Sequence, residues 1–288
     1  LDRIVAALQS KGVREVAGIG LDDSFFGPVV EIAGRSSSDN PYDAPETALA
    51  ANFNTLHLLR AGDQVRSAEP QTPLTATARR FGLAGGPGKQ RVNLREHETA
   101  LRYVGELLAA KLTGVGIRVG EPRRNAPVPR QAQRLYRHTN SRTLAQMVEP
   151  MLKYSNNFVA NALFLRLAQP EGKGQVTMTA ARRAMADFAR KRFGWSDIVI
   201  EDGAGLSRGN RLSARQLVDL LDAFVPYRDL LAAQDGNPNV RAKTGTLRGV
   251  STYAGYVRRD GRWATFALLI NQPVDAGLRS RVASSLAR

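Results

Sequence analysis

The amino-acid sequence predicts an α+β fold, in which helices pack on an antiparallel β-sheet. The middle of the chain contains successive stretches with apolar residues at helical spacing. The last third contains two runs rich in β-forming residues joined by Asp260–Gly261, a dipeptide typical of a tight hairpin, and then a final helical stretch. Helices followed by neighbouring antiparallel strands indicate the α+β class.

The first part of the chain has a mixed α/β pattern. The stretch DRIVAALQSKG predicts a helix that ends at Gly12, and VREVAGIGLDDSFF predicts a strand with a turn at Asp22–Asp23. The stretch ALAANFNTLHLLRAGDQV fits a strand or a helix equally well. The glycines and proline of ATARRFGLAGGPGKQRVNL predict a loop at a domain boundary.

From Arg95 the helical pattern is clearer. An amphipathic helix in REHETALRYVGELLAAKLTG should end near Gly114 and be followed by a short strand. The next helix, in NSRTLAQMVEPMLKY, should be capped by Asn140 or Ser141 and interrupted at Pro150. An apolar helix in NNFVANALFLRLA follows, which suits the centre of a domain.

Two more helices and the sheet complete the chain. The stretch TMTAARRAMADFARKRFG predicts a helix closed by Gly194. Ser213 and Gln216 predict a capping box that opens the helix SARQLVDLLDAF. The stretches NVRAKTGTL and VSTYAGYVRRDGRWATFALLIN predict antiparallel strands, and DAGLRSRVASSLAR predicts the last helix.

Composition limits the classes of protein to consider. The 288 residues are 43% hydrophobic and 23% charged, which describes a globular chain long enough for one large or two ordinary domains. No stretch approaches the roughly 18 apolar residues that a membrane-spanning helix needs, so the chain is not expected to span a membrane. The absence of cysteine excludes disulfides, thiolate nucleophiles and cysteine-based zinc sites.

Positive charge is concentrated in the second part of the chain. Residues 1–94 carry no net charge, so residues 95–288 carry the whole formal charge of +15. This asymmetry indicates either an anionic partner or simply a solvated basic surface. A nucleic-acid partner is not expected, because the arginines are scattered and no recognition helix or aromatic RNA-binding motif is present.

Common catalytic motifs are missing. The three histidines, His57, His97 and His138, form no metal-ligand pair, so a zinc protease is not predicted. The chain contains no Walker loop, no dinucleotide-binding fingerprint and no G-x-S-x-G elbow. A Ser-His-Asp hydrolase is compatible with the spacing, but no feature indicates one.

Three polar stretches could instead serve chemistry. In KTGT, Lys243 offers a cation, Thr244 and Thr246 offer hydroxyls, and Gly245 lets a ligand approach the backbone. Such a strand could bind a peptide by edge pairing while Lys243 and a threonine hold its terminal carboxylate. Alternatively, KTGT is a strand start with an ordinary surface lysine.

The other two stretches are equally ambiguous when each is taken alone. In YSNN, Ser155 could pass protons and Asn157 could bind a substrate amide, or the residues could only cap a helix. In EDGAGLSRGNRLS, Asp202 begins a tight polar loop in which Asn210 is expected to support structure, and the loop could be no more than a turn.

The order and spacing of the three stretches resemble the serine D-alanyl-D-alanine carboxypeptidases/endopeptidases of the low-molecular-mass class C penicillin-binding proteins, peptidase family S13. PMLKYSNNFVANALFLRLA is similar to that family's S-x-N helix pair, and KTGTLRGVSTYAGYV to its K-T-G-T strand. DGAGLSRGNRLS resembles its D-G-S-G-L-S-R-x-N loop, with Ala204 in place of the usual serine. GIGLDDSFF and YDAPETALAANFNT look like the inserted region that this family carries before S-x-N.

The resemblance implies a penicillin-binding/β-lactamase-like α+β domain over residues 93–288 and part of a smaller inserted accessory α/β region over residues 1–92. It implies a serine-type peptidase of the bacterial periplasm or extracytoplasmic envelope that acts on peptidoglycan peptides and is inhibited by β-lactams when its nucleophile is present. No metal or organic cofactor is implied. The implied roles, by residue, are proton transfer by Ser155 with Lys243, carboxylate binding by Lys243 and Thr244 beside Gly245, an oxyanion-hole N–H from Thr246, and peptide orientation by Asn157.

The sequence departs from the family at the nucleophile. No serine or threonine is followed three residues later by lysine, so the S-x-x-K motif that supplies the acylating serine is absent from the printed chain. The family's motif lies upstream of the inserted region, which predicts an N-terminal segment that the chain lacks. A binding-only relative, or a second polypeptide that supplies the motif, would also explain its absence. The alternative function is therefore a non-catalytic peptidoglycan-binding or scaffolding protein.

Overall fold

The computed structural model describes residues 1–27, 30–120, 127–168, 175–234, 237–275 and 277–286. The chain divides into two compact units, Leu1–Asn140 with Gln169–Met178 and Ser141–Ala168 with Thr179–Arg288. Helices and antiparallel sheets make up both units, which confirms the predicted α+β class. The division of an inserted region, 1–92, from a main domain, 93–288, stays a prediction.

The first unit contains a small antiparallel sheet covered by helices. Its elements are α1 (Asp2–Ser10), β1 (Glu15–Val16), β2 (Thr55–Ala61), β3 (Gln64–Ser67), α2 (Ala76–Ala84), β4 (Gly88–Asn93), α3 (His97–Thr113) and β5 (Arg118–Val119). The sheet has the order β3-β2-β4, and β1 pairs with β5 in parallel. Leu56 and Leu58, two apart on β2, pack with Tyr103 and Leu107 of α3 in one buried cluster. The period of two in β2 therefore resolves the stretch that fitted either a strand or a helix.

Two predictions for this unit were wrong. The strand predicted near Val16 has only two residues, and no strand continues towards Asp22. The predicted boundary loop is instead α2 followed by β4. Thr75 caps α2 by accepting a hydrogen bond from the Ala78 amide at 3.1 Å. Gly82 is a packing glycine within α2, because a Cβ there would lie 2.4 Å from Val65 Cγ1.

A loop over residues 35–55 buries several polar side chains, and Glu46 is the least compensated of them. Glu46 is 2% exposed, and its Oε1 has no hydrogen-bond partner among the described residues. Burial raises the pKa of Glu46 well above its usual value, and the positive charge of Arg35 opposes that rise. Burial therefore favours the neutral form of this carboxyl group.

This buried carboxyl group predicts a pH-dependent stability of the first unit. Because the folded pKa of Glu46 lies above the unfolded value, its favourable contribution is complete at low pH and is lost as pH rises through the folded pKa. Glu46→Gln, which stays neutral, should protect the β2 and α3 amides better than the unchanged chain at pH 8 and equally at pH 4. Hydrogen exchange, corrected for intrinsic rates, measures this. Glu31→Gln, at an exposed site, is the control, and equal protection of both variants at pH 8 would contradict the prediction.

The second unit is built on a four-stranded antiparallel sheet with the order β6-β7-β8-β9. Its elements are α4 (Leu144–Tyr154), α5 (Asn157–Arg166), α6 (Met178–Phe193), α7 (Ala214–Phe224), β6 (Ala233–Gln234), β7 (Asn237–Leu247), β8 (Val250–Arg259), β9 (Arg262–Ile270) and α8 (Leu278–Leu286). Strand β8 is covered on both faces. Tyr253 and Val257 pack in a cluster with Ala283 of α8, whereas Tyr256 packs in a cluster with Leu221 of α7.

Three local predictions for this unit are confirmed. Ser213 and Gln216 form the capping box of α7. Asp260 and Gly261, at φ values of 48° and 76°, join β8 to β9 as the predicted hairpin turn. Gly194, at a φ of 73°, follows the last residue of α6.

The start of α4 differs from the prediction. Thr143, not Asn140 or Ser141, caps the helix, because Thr143 and Gln146 form a reciprocal capping box. Pro150 lies inside α4, which runs through it to Tyr154, so the predicted interruption of the helix is not found. Within the described part of the chain, no helix combines the length and apolar character that crossing a bilayer requires.

Candidate active site

The three residues at the junction of α4 and α5 have different roles: Asn156 is structural, whereas Ser155 and Asn157 are candidate site residues. Ser155 ends α4 in the left-handed conformation, with φ 52° and ψ 51°. Asn156 caps α5, because its Oδ1 accepts a hydrogen bond from the Val159 amide at 3.0 Å. Asn157 is then the first residue of α5 and is half-buried. Since Asn156 serves as the cap, the Ser155 hydroxyl is available for another contact.

That contact is with Lys243 of β7. Lys243 Nζ lies 2.5 Å from Ser155 Oγ and donates to it across a separation of 88 residues, and Nζ also donates to the Thr244 carbonyl oxygen at 2.5 Å. The structure thus brings YSNN and KTGT together. Because Ser155 Oγ accepts from the ammonium group, its own proton is left to donate elsewhere.

The environment of Lys243 lowers the pKa of its ammonium group. Burial lowers the pKa of Lys243, and the nearby positive charge of Arg279 lowers it further. Among the described residues, no carboxylate forms an ion pair with Lys243. A half-buried cation without an acidic partner is suited to binding an anion and to exchanging a proton.

The end of β7 keeps one edge open. Residues 240–247 pair with β8 along their length. On the other side β6 pairs with Asn237 and Arg241, and the Ala242 amide donates to the Ala232 carbonyl oxygen. Beyond Ala242, no described strand lies against this edge, which leaves it accessible to an extended peptide. Thr246 is exposed at that end of the strand.

Gly245 has a packing reason to be glycine. A Cβ at this position would lie 2.3 Å from Thr252 Oγ1 on the neighbouring strand β8. The pairing of β7 with β8 therefore accounts for this glycine without reference to a ligand. Its predicted contact with substrate stays a prediction, as do the predicted roles of Thr244, Thr246 and Asn157.

The loop after α6 is organised by the buried carboxylate of Asp202. Asp202 is 2% exposed. Its Oδ1 accepts from the amides of Ala204 and Leu206 at 2.8 and 3.0 Å. Its Oδ2 accepts from the Ser207 amide and from Asn210 Nδ2, both at 2.9 Å. Asn210 thus supports the loop, as predicted, and Asp202 is a structural residue.

The same loop docks on α5 and reaches the turn that follows β7. Asn161 of α5 accepts a hydrogen bond from the Gly203 amide at 2.9 Å, and Arg208 donates to the Arg248 carbonyl oxygen at 2.5 Å. All three polar stretches therefore meet in the second unit. Asn161, Arg208 and Arg279 contribute to this arrangement although the sequence did not single them out, because their partners are distant in the chain. Among the described residues, no group of three or more acidic or histidine side chains is placed to hold a metal ion.

The close approach of the loop to α5 predicts a cost for any side chain at position 203. A Cβ on Gly203 would lie 2.4 Å from the Ala160 carbonyl oxygen and 2.6 Å from Phe164 Cβ. Gly203→Ala should therefore destabilise the second unit by about 2 kcal/mol. Urea denaturation followed by the fluorescence of Trp195 and Trp263 would measure this.

The fluorescence readout is specific, because both tryptophans of the chain lie in the second unit. Asp187→Ala is the control, because Asp187 is an exposed residue of α6 in the same unit. A Gly203→Ala midpoint equal to that of the control would show that the loop does not need this close contact.

The fold and the meeting of the three stretches define a penicillin-binding type of protein. The family model for the D-Ala-D-Ala carboxypeptidase 3 (S13) family matches residues 63–236 and 225–287. The chain belongs to this family, which confirms the resemblance seen in the sequence.

Curated relatives carry the same description. D-alanyl-D-alanine carboxypeptidase DacB of Haemophilus influenzae is 28% identical over 204 residues, which cover 62% of this chain and 42% of the relative. D-alanyl-D-alanine carboxypeptidase of Actinomadura sp. strain R39 is 30% identical over 153 residues, which cover 44% of this chain and 28% of the relative. The chain thus matches less than half the length of these relatives.

Solved structures show the same fold. The crystal structure of penicillin binding protein 4 (dacB) from Haemophilus influenzae matches with a TM-score of 0.76 and 19% identity, covering 99% of this chain and 78% of that one. The structure of that protein complexed with a novel β-lactam matches with a TM-score of 0.70 and 17% identity, covering 99% and 77%. The predicted penicillin-binding α+β fold is therefore confirmed.

Proposed function

We propose that this chain carries the substrate-binding part of a serine-type D-alanyl-D-alanine carboxypeptidase/endopeptidase that acts on peptidoglycan stem peptides. The observation that carries the proposal is the 2.5 Å contact between Lys243 Nζ and Ser155 Oγ, beside an open strand edge, in a member of the S13 family. The named activity of its relatives supports the same reaction.

The binding step follows from the charges and the open edge. An acyl-D-alanyl-D-alanine peptide lies along the edge of β7, and Lys243 with Thr244 holds its terminal carboxylate. Asn157 orients the peptide amide. The Thr246 amide is one of the two N–H groups that receive the oxyanion when the carbonyl is attacked.

The chemical step is acyl transfer. A serine attacks the carbonyl carbon of the penultimate D-alanine, the peptide bond breaks, and the last residue leaves as an amine that takes up a proton. Water then hydrolyses the acyl-enzyme. Ser155 and Lys243 carry protons in these steps. In this family the attacking serine belongs to S-x-x-K, which the printed sequence does not contain, so no residue described here is assigned as the nucleophile.

The proposed substrate also implies where the protein works and which compounds inhibit it. Peptidoglycan is assembled outside the cytoplasmic membrane, so the protein works in the extracytoplasmic part of the bacterial envelope, the periplasm where one exists. β-Lactams, which resemble acyl-D-alanyl-D-alanine, are inhibitors of any form that contains the acylating serine. The basic second part of the chain favours an anionic cell-wall ligand.

The test combines binding with covalent labelling. Isothermal titration of the chain with diacetyl-L-lysyl-D-alanyl-D-alanine should give saturable binding, and the L-alanyl-L-alanine peptide should bind at least about tenfold more weakly. Intact-protein mass spectrometry after incubation with benzylpenicillin reports whether an acyl adduct forms. Selective binding of the D-peptide without an adduct is the result expected for the printed chain, which contains no S-x-x-K. An adduct would show in addition that the chain carries an acylating nucleophile. Equal or absent binding of both peptides would overturn the proposal.

A further inference from the structure

We infer that Arg279 is a specificity-determining residue that makes the site on β7 select peptides ending in a free carboxylate over peptides in which that carboxyl is amidated. The inference rests on the proposed function, and it concerns a residue outside the three polar stretches. Arg279 lies in α8, 33 residues from its contact on β7.

Arg279 contacts the end of the K-T-G-T strand directly. Its NH1 donates to Thr246 Oγ1 at 2.9 Å and to the Gly245 carbonyl oxygen at 3.2 Å. The helix that carries it is fixed to the same strand, because Ala283 of α8 packs in a buried cluster with Val240 of β7. The guanidinium group is therefore held at the site and does not depend on a flexible surface position.

The positive charge of Arg279 is not neutralised within the described part of the chain. The Thr246 hydroxyl and the Gly245 carbonyl oxygen that accept from it are uncharged, and no described carboxylate forms an ion pair with it. The acid nearest along the chain, Asp275, is paired with Arg281 at 3.3 Å. The positive charge of Arg279 also lowers the pKa of Lys243, which means that the two cations repel each other. An anion bound at the end of β7 would offset that repulsion.

The hydroxyl groups at the site are also set up to donate. Thr246 Oγ1 accepts from Arg279, and Ser155 Oγ accepts from Lys243. Each hydroxyl proton is therefore left for an outside acceptor. A carboxylate offers only acceptors, so it fits two hydroxyl donors and two cations. A terminal amide carries no charge, and its NH₂ group is a donor that would face the donors of the site instead of acceptors.

The two features lead to one expectation about ligand choice. The charge of Arg279 favours the carboxylate, and its hydrogen bond to Thr246 keeps the hydroxyl in the donating orientation. Removing the guanidinium loses both effects, whereas a lysine in its place keeps the charge and loses the forked geometry. The property that Arg279 controls is thus the ratio of affinities for the acid and the amide, and not the affinity for the peptide as such.

The test measures that ratio by isothermal titration of the full chain with diacetyl-L-lysyl-D-alanyl-D-alanine and with its C-terminal amide. The unchanged chain should prefer the acid by roughly 10- to 100-fold, the range expected for charge-assisted hydrogen bonds. Arg279→Gln should reduce the preference by about tenfold, mainly by weakening acid binding, and Arg279→Lys should retain an intermediate preference.

Arg281→Gln is the matched control, because Arg281 lies on the same helix but is 61% exposed and bonds Asp275 instead of β7. It should keep the full preference. Tryptophan fluorescence confirms that each variant is folded. If Arg279→Gln and Arg279→Lys both keep the acid-to-amide ratio of the unchanged chain, the inference is overturned while the proposed function stands. If the unchanged chain binds neither peptide, the proposed function fails and the inference fails with it.

Discussion

Asp202→Ala should lower the free energy of unfolding of the second unit by about 4 kcal/mol. The change removes the acceptor for three backbone amides and for Asn210 in a loop where the carboxylate is 2% exposed. Each buried donor left without an acceptor costs about 1–3 kcal/mol before relaxation, so breaking this network belongs among the largest single-residue effects. Urea denaturation followed by tryptophan fluorescence gives the value.

The matched control is another aspartate of the same unit. Asp187 is exposed and pairs with Arg190 at 3.3 Å on the surface of α6. Asp187→Ala should change stability by no more than about 0.5 kcal/mol, because exposed ion pairs contribute little. A loss below about 1 kcal/mol for Asp202→Ala would mean that water or other acceptors replace the carboxylate, and that the loop is not organised by it.

Lys243→Met should weaken the binding of an acyl-D-alanyl-D-alanine peptide by about 10- to 100-fold. Methionine keeps much of the length of the side chain but loses the ammonium group that contacts Ser155. A charge-assisted hydrogen bond to a carboxylate contributes about 1.5–3 kcal/mol, which gives this range. Isothermal titration measures the loss, and the fold should survive because the half-buried charge has no acidic partner among the described residues.

The pH dependence of binding provides an internal check on this prediction. Binding needs the protonated lysine, and the folded pKa of Lys243 is lowered from the usual 10.5. Affinity of the unchanged chain should therefore fall as pH rises through that lowered pKa, and Lys243→Met should lack this fall. Lys191→Met, at an exposed position of α6, is the control and should bind normally. If Lys243→Met binds as tightly as the control, the carboxylate is held elsewhere.

Local signals in the sequence predicted much of the second unit. The Ser213 capping box and the Asp260–Gly261 hairpin depend on neighbours within four residues, so their geometry could be read from the chain alone. The strand KTGT and the junction at Ser155 were likewise placed in the right elements. Their meeting across 88 residues could be expected only from the family resemblance.

The errors arose where tertiary packing decides the local structure. The glycines around position 85 predict a loop, but this stretch contains the helix α2. Gly82 lies in that helix because Val65 packs too close to leave room for a side chain. The predicted cap of α4 lies two or three residues before the observed one, because Asn140, Ser141 and Thr143 are all good capping residues. Thr143 is the cap because it forms reciprocal hydrogen bonds with Gln146. Arg279 left no local signal, because its contacts lie on another strand.

The open edge of β7 has a consequence for the behaviour of the protein in solution. A strand that can accept an extended peptide can also accept the same strand of another copy, which is the first step of aggregation. Arg241, Lys243 and Arg248 on or beside this strand, together with the net charge of +15, make two copies repel each other. The charge that attracts an anionic ligand therefore also protects colloidal solubility. Salt screens that repulsion, so concentrated stocks of the ligand-free chain should keep best at low ionic strength.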